Sequence, residues 1–95
     1  MLIFERITNP DKTDFTVNQG KLIANYDDIV AVFGEPERIV SDKSQVSWDI
    51  EFEDGVIATI YDWKETARPQ NITEWMIGGH VKSAVDHVFT AMKKV

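Results

Sequence analysis

The fold is decided by residues 45–61, which read Gln45-Val-Ser-Trp-Asp-Ile-Glu-Phe-Glu-Asp-Gly-Val-Ile-Ala-Thr-Ile-Tyr61. From residue 45 to residue 53, polar and apolar side chains alternate strictly, which is the period of a strand with one buried face. The following Asp54-Gly55 is typical of a two-residue hairpin turn, because both central positions of that turn need positive φ. We therefore predict a hairpin of strands 45–53 and 56–64.

The predicted register gives the two faces of this hairpin different characters. A two-residue turn pairs Glu53 with Val56, and therefore Trp48 with Tyr61 and Val46 with Trp63, as an aromatic ladder on one face. The other face would then pair Glu51 with Ala58 and Asp49 with Ile60. Because strand 56–64 is apolar on both faces, we expect it to be central in the sheet.

Capping and breaking residues mark the elements around the hairpin. Asn25 as N-cap and Gly34 as C-terminal stop, followed by Pro36, predict a helix over Tyr26–Phe33. Alternation predicts a third strand over 71–77, and apolar residues at helical spacing predict a second helix over 81–94. The remaining predictions are a short edge strand at residues 2–4, a loop at 8–14 and a turn at 18–20.

These elements define one α+β domain over residues 1–95, in which residues 1–20 are loop-rich or form an edge strand. We expect a two-layer arrangement. It would consist of a three- to four-stranded antiparallel meander, a short helix in the N-terminal half and a C-terminal amphipathic helix. We expect the helices to cover the strand face that carries Val46, Trp48, Ile50 and Phe52. The face with Asp49 and Glu51 would then be at least partly open.

Composition excludes several classes of protein. The chain has 16 acidic and 10 basic residues and a net charge of -6, which argues against direct nucleic-acid binding. It has no cysteine, so it has neither a disulfide framework nor a thiolate metal site. No apolar run approaches the roughly 20 residues that span a bilayer, and the N-terminus does not have the pattern of a signal peptide.

The acidic residues are concentrated in one part of the chain. Residues 27–54 contain nine acidic and two basic residues, whereas the rest of the chain is nearly balanced. A field of this kind attracts a cationic protein surface, although the simpler interpretation of strand residues 49–53 is a solvated outer face. The predicted partner-binding residues are Asp49, Glu51, Glu53, Glu35 and Glu37.

A second candidate site combines aromatic residues with a glycine pair. Gly78-Gly79-His80 is predicted to lie at a helix start, where free backbone N–H groups hold anions, and an uncovered tryptophan offers a stacking surface for a base. Core packing and a tight turn are the simpler interpretations of these residues. The predicted ligand-binding residues are Tyr61, Trp63, Lys64, Trp75, Gly78, Gly79, His80 and Lys82.

The sequence gives only weak signals for a catalytic or metal-binding site. There is no nucleophile elbow, phosphate loop or metalloprotease motif, so we predict no catalytic residues and no enzyme activity. His80 and His87 are seven residues apart, but a metal site usually gathers three or four convergent ligands. We therefore predict no metal ion and no cofactor, and interpret both histidines as surface residues.

One set of motifs resembles a known group of proteins. It comprises Phe33-Gly-Glu-Pro36, Trp48, Asp54-Gly55, Ala58-Thr-Ile-Tyr-Asp-Trp-Lys64 and Trp75-x-Ile-Gly-Gly79. This pattern, which spans about residues 26–79, resembles small uncharacterised proteins of tailed bacteriophages. That family has no firmly assigned activity, so no active site can be carried over. The resemblance implies a viral origin and action in the cytoplasm of a bacterial host.

Three functions fit these observations. The first is a non-enzymatic inhibitor of a host defence that binds a basic surface, such as that of a CRISPR effector or a restriction nuclease. The second is a sponge for a nucleotide second messenger of host immune signalling; homo-oligomerisation would favour it by enlarging a small pocket. The third is a virion or assembly component.

Overall fold

The computed structural model describes residues 3–39 and 43–93, and within them six strands form one antiparallel sheet accompanied by two α-helices. The α+β class is confirmed, but the sheet has more strands than the three or four expected. In chain order the elements are β1 (Phe4–Arg6), β2 (Val17–Ile23), α1 (Tyr26–Phe33), β3 (Glu37–Arg38), β4 (Val46–Phe52), β5 (Ile57–Tyr61), β6 (Glu74–Gly79) and α2 (Ser83–Ala91). Short 3₁₀ turns lie at Pro10–Thr13 and Pro69–Asn71.

The sheet has the order β1-β4-β5-β6-β2, and β3 pairs with β4. The predicted meander of β4, β5 and β6 is confirmed, and β5 is central as expected. The predicted edge strand is found as β1 (Phe4–Arg6), whereas Leu2 lies outside the described residues. The prediction of a turn at residues 18–20 is wrong, because these residues belong to β2. The register of β2 against β6 shifts between Asn18 and Gly20, which is a β-bulge.

The hairpin register differs from the prediction by one residue. Trp48 pairs with Ile60 and not with Tyr61. The loop has three residues, since the Gly55 N–H donates to the Phe52 carbonyl at 2.9 Å and Gly55 has a φ of 88°. This is the hairpin in which one left-handed glycine forms a bulge. The predicted aromatic ladder is therefore wrong, and Tyr61 lies on the face opposite Trp48.

The core lies between the helices and one face of the sheet. The prediction that the helices cover the Trp48 face is confirmed, and Ala58 and Ile60 belong to this buried face instead of the open one. Trp48 and Trp75 are both fully buried and meet edge to face, with ring centroids 5.3 Å apart. Their indole N–H groups donate to the carbonyls of Gly34 and Ala24, so both ends of α1 are tied to the sheet.

The N-terminal segment crosses the face of the sheet that the helices leave open. β1 and β2 lie at opposite edges, so residues 7–16 must pass across the strands between them. Lys12 lies over this face, since its ammonium pairs with Glu51 and its carbonyl is 3.1 Å from His80 Nε2. The crossing segment, residues 7–16, therefore covers part of the open face and leaves a groove beside it.

Candidate ligand-binding groove

The groove on the open face has a volume of about 320 Å³ and lies between the crossing segment and strands β4 to β6. This volume is at the lower end of the range for small-ligand sites. Its lining is rich in hydroxyl groups, of which those of Thr16 and Ser44 already donate to the carbonyls of Thr13 and Asp62 and therefore only accept hydrogen bonds from a ligand. The hydroxyl-bearing residues are Thr13, Thr16, Ser44, Ser47, Thr59 and Tyr61.

The floor of the groove is kept open by a glycine. Gly78 pairs with Thr59 across the β5–β6 ladder and is buried. A Cβ atom at residue 78 would lie 2.5 Å from Thr59 Oγ1, a distance that real side chains do not adopt. Glycine at residue 78 thus leaves room for the Thr59 hydroxyl on the floor of the groove.

Asp49 supplies the carboxyl group of the groove. Burial raises the pKa of Asp49 above its ordinary value of 3.8, while a hydrogen bond with Ser47 and the nearby Arg6 guanidinium oppose that rise. A partly desolvated carboxylate forms stronger hydrogen bonds than an exposed one. Asp49 is therefore well suited to accept hydrogen bonds from the hydroxyl groups of a bound molecule.

An aromatic wall closes one end of the groove. The rings of Tyr61 and Trp63 meet edge to face at 6.4 Å, and Trp63 is 44% exposed. Lys43 Nζ and Lys64 Nζ lie 5.4 Å and 5.8 Å from the centroid of the Trp63 ring. The exposed indole thus has two positive charges over its ring, and a base that stacks on a face so occupied must displace the lysine there.

Only some of the predicted ligand-binding residues meet at this site. Tyr61, Trp63 and Gly78 line the groove, and Lys64 lies beside Trp63. Trp75 is fully buried in the core, so its ring offers no stacking surface.

Residues 78–80 do not lie at a helix start, where the predicted anion site was expected. Gly78 and Gly79 end β6 and pair with neighbouring strands, whereas α2 begins only at Ser83. Gly79 faces α2, where an added Cβ would lie 2.8 Å from Ala84 Cβ. His80 contacts the Lys12 carbonyl, and Lys82 is the N-cap residue of α2, outside the groove.

The predicted acidic residues are spread over different surroundings. Asp49 lines the groove, Glu51 pairs with Lys12, and Glu53 belongs to the hairpin loop. Glu37 lies 3.9 Å from the Arg6 guanidinium, and Glu35 accepts a hydrogen bond from the Tyr26 hydroxyl at 3.3 Å. These five carboxylates therefore do not form one continuous unpaired patch.

Of the six hydroxyl-bearing residues of the groove, the sequence predicts only Tyr61. Ser47 alternates outward on its predicted strand, so its place on the open face could have been inferred from the period of the strand. Thr13 and Thr16 carry no such signal, because they reach the groove only through the path of the crossing segment.

Residues 3–39 and 43–93 contain no group of three or more histidine, aspartate or glutamate side chains placed to hold a metal ion. No helix in the same two segments is long and apolar enough to cross a membrane. In comparisons with known proteins, the sequence matches no protein-family model and no curated protein. The structure thus shows an α+β protein whose open sheet face carries a groove of about 320 Å³.

Proposed function

We propose that this chain is a non-enzymatic binding protein that holds a nucleotide in the groove on the open face of its sheet. The observation that carries the proposal is a groove lined by an exposed indole ring and by hydroxyl groups, with two lysines outside the lining whose ammonium groups lie over the indole ring. A nucleotide has three parts, a base, a phosphate and a sugar, that match these groups one for one.

Each match has a physical basis. A base that stacks on an aromatic side chain gains about 1–3 kcal/mol, which makes Trp63 the main source of affinity. Lys43 and Lys64 supply charge-assisted hydrogen bonds for a phosphate, although the chain as a whole is acidic. Asp49 and Ser47 supply partners for ribose hydroxyl groups. The resemblance to phage proteins favours a second messenger of host immunity as the nucleotide, sequestered in the host cytoplasm.

The test is a titration of tryptophan fluorescence with a panel of cyclic mono- and dinucleotides. Trp48 and Trp75 are buried, so quenching by a ligand reports on Trp63. We expect one nucleotide to bind. The variants lack the reporting indole, so isothermal titration calorimetry compares them: Trp63→Ala should weaken binding by about tenfold or more, and Trp63→Phe should retain most of the affinity. The matched control is Ile23→Ala, which truncates an exposed apolar residue of β2 that does not line the groove.

Two results would contradict this proposal. The first is a panel in which no nucleotide changes the fluorescence or the melting temperature. The second is a nucleotide that binds Trp63→Ala as tightly as the unaltered chain. A bound nucleotide recovered chemically changed would instead show that the groove is catalytic.

A second candidate function, inhibition of a host protein with a basic surface, is favoured by another hollow. Glu5, Glu51 and Glu53 line a cavity of about 370 Å³ together with Ile3, which is 69% exposed. The apolar residues suit the aliphatic part of a lysine or arginine side chain, and the carboxylates suit its charged end. This hollow points to a cationic partner such as a nuclease or a CRISPR effector.

The charge-reversal variant Glu5→Lys/Glu53→Lys tests this second candidate, with Asp27→Lys/Asp28→Lys on α1 as the matched control. If the hollow binds a host protein, immobilised wild-type chain retains a nucleic-acid-binding protein from bacterial lysate. Retention should then fall with salt, be lost in the first variant and persist in the second. Equal retention by both variants would contradict this function.

A further inference from the structure

A third cavity lies on another part of the molecule, between the end of α1, β3 and the 3₁₀ turn at Pro69–Asn71. Its volume is about 500 Å³, and it shares no lining residue with the groove. Two arginines, Arg38 from β3 and Arg68 from the segment before the turn, both line it. Nothing in the nucleotide proposal uses this cavity.

The two arginines lack partners within the described residues. Neither Arg38 nor Arg68 takes part in an ion pair or a side-chain hydrogen bond in residues 3–39 and 43–93. Acidic residues outnumber basic ones 16 to 10 in this chain, so intramolecular partners are plentiful. Both arginines are exposed and line one cavity, so their guanidinium groups are accessible to an external oxyanion, which guanidinium binds in a bidentate manner.

The walls of the cavity are fixed by contacts that involve neither arginine. The Tyr26 ring packs against Trp48 and Trp75, with centroid distances of 5.8 Å and 6.4 Å. The Gln45 amide donates to Asp62 Oδ2 and to the Ala67 carbonyl. A preformed wall lowers the entropy lost when a ligand binds.

Glu35 gives the cavity a negatively charged group in addition to the two arginines. Its carboxylate accepts the Tyr26 hydroxyl at 3.3 Å and lines the same space as the two arginines. It repels an anion that fills the whole cavity, but it accepts a hydrogen bond from a ligand whose far end carries an amine or a hydroxyl group.

We propose that this cavity binds a small phosphate monoester whose other end is a hydrogen-bond donor, with Arg38 and Arg68 on the phosphate and Glu35 on the donor. A phosphate monoester carries close to two negative charges at neutral pH, which two guanidinium groups balance. The site is independent of the nucleotide groove, because the two have no residue in common.

The probes are O-phosphoethanolamine, inorganic phosphate and malonate, measured by isothermal titration calorimetry on the full chain. We expect O-phosphoethanolamine to bind tightest, with a Kd of about 1 mM or lower. Arg38→Gln and Arg68→Gln should each weaken it by about tenfold, whereas the control Lys82→Gln, which removes a positive charge outside the cavity, should not.

Glu35→Gln should change the affinities for two of the probes in opposite directions. It should strengthen the binding of inorganic phosphate by about threefold, because a repulsive charge is removed, while weakening O-phosphoethanolamine. The proposal is overturned if no probe binds, if malonate binds as tightly as O-phosphoethanolamine, or if Lys82→Gln has the effect of the arginine variants. Trp63→Ala should leave the binding of O-phosphoethanolamine unchanged. The phosphate-monoester proposal can therefore fail while the nucleotide proposal stands, and the reverse.

Discussion

At the scale of single residues, the most constrained polar group is the carboxylate of Asp62. It is fully buried and lies directly after β5. Its Oδ1 accepts the backbone N–H groups of Gln45 and Val46 at 2.8 Å and 3.1 Å, and its Oδ2 accepts the Gln45 amide at 3.2 Å. The carboxylate thus satisfies backbone donors at the start of β4 that would otherwise be buried without partners.

We therefore expect Asp62→Ala to lower the free energy of unfolding by about 2–4 kcal/mol, because it leaves several buried donors without an acceptor. The measurement is urea denaturation followed by circular dichroism. Asp86→Ala, which removes an exposed carboxylate of α2, is the control and should change the stability by less than about 0.5 kcal/mol. Equal effects of the two substitutions would show that the Asp62 contacts contribute nothing specific.

A second residue-scale prediction concerns pH. A hydrogen bond with His87 lowers the pKa of Asp54 below its ordinary value of 3.8. A carboxyl group whose pKa is lower in the folded state stabilises the fold above its unfolded pKa, and this contribution disappears as the pH falls through the folded pKa. Asp54→Asn keeps an acceptor for the Val56 N–H but removes the charge, so it should melt lower than wild type at pH 6.

The difference in melting temperature between wild type and Asp54→Asn should shrink as the pH falls below about 4 and through the lowered pKa of folded Asp54, since the carboxyl group then becomes protonated in both the folded and the unfolded state. Calorimetry at a series of pH values measures this difference. A gap that stays constant down to the acid limit would mean that the contact between Asp54 and His87 at 2.7 Å does not favour the charged carboxylate.

Among single residues, those that follow a local pattern could be predicted and those that depend on distant segments could not. Trp48 was correctly assigned to the buried face from alternation alone. The role of Asp62 was missed because its partners lie 16 and 17 residues earlier in the sequence. For Trp75 the sequence leaves both core packing and a stacking surface open, because a strand pattern does not reveal which face a helix covers.

At the scale of elements, the hairpin loop shows how close two turn types can be in sequence. Asp54-Gly55 suits a two-residue turn, yet the same residues also suit a three-residue loop that needs positive φ only at Gly55. The one-residue difference exchanges the faces of β5 and so decides whether Tyr61 is in the core or in the groove. The predicted bounds of helix α1 are the observed ones, and Gly34 ends the helix with a φ of 87°, but the Asn25 side chain makes no capping hydrogen bond at its start.

Substitutions of Gly55 test whether the loop requires a left-handed backbone at this residue. A Cβ at residue 55 would meet nothing within 4 Å, so Gly55→Ala adds no clash and changes only the backbone preference. We expect a loss of about 1 kcal/mol in the free energy of unfolding, because alanine adopts the left-handed conformation at a cost of that size. Gly55→Asn should lose less, since asparagine tolerates this conformation better. An unchanged stability in Gly55→Ala would argue against the bulged loop.

At the scale of the whole molecule, the groove exists because the first and second strands lie at opposite edges of the sheet. The segment between them crosses the open face and brings Thr13 and Thr16 beside β5. No local pattern in residues 7–16 predicts this path, because it follows from the pairing of β1 with β4 and of β2 with β6. The site was therefore predictable only for residues on the strands themselves.

The crossing segment is held on the sheet partly by the pair between Lys12 and Glu51, and this gives a final prediction. Lys12→Gln should let residues 7–16 leave the sheet more often, so that chymotrypsin cuts faster after Phe15, which is 94% exposed. Surface ion pairs contribute at most about 1 kcal/mol, so we expect roughly a two- to fivefold faster cut.

Lys21→Gln, which removes the exposed pair with Glu74 on β6, is the control and should be cut at the wild-type rate. Salt at about 1 M should make wild type resemble Lys12→Gln, since screening weakens the same pair. An equal rate for all three chains at low salt would mean that other contacts of the crossing segment, such as that of His80 with the Lys12 carbonyl, hold it in place.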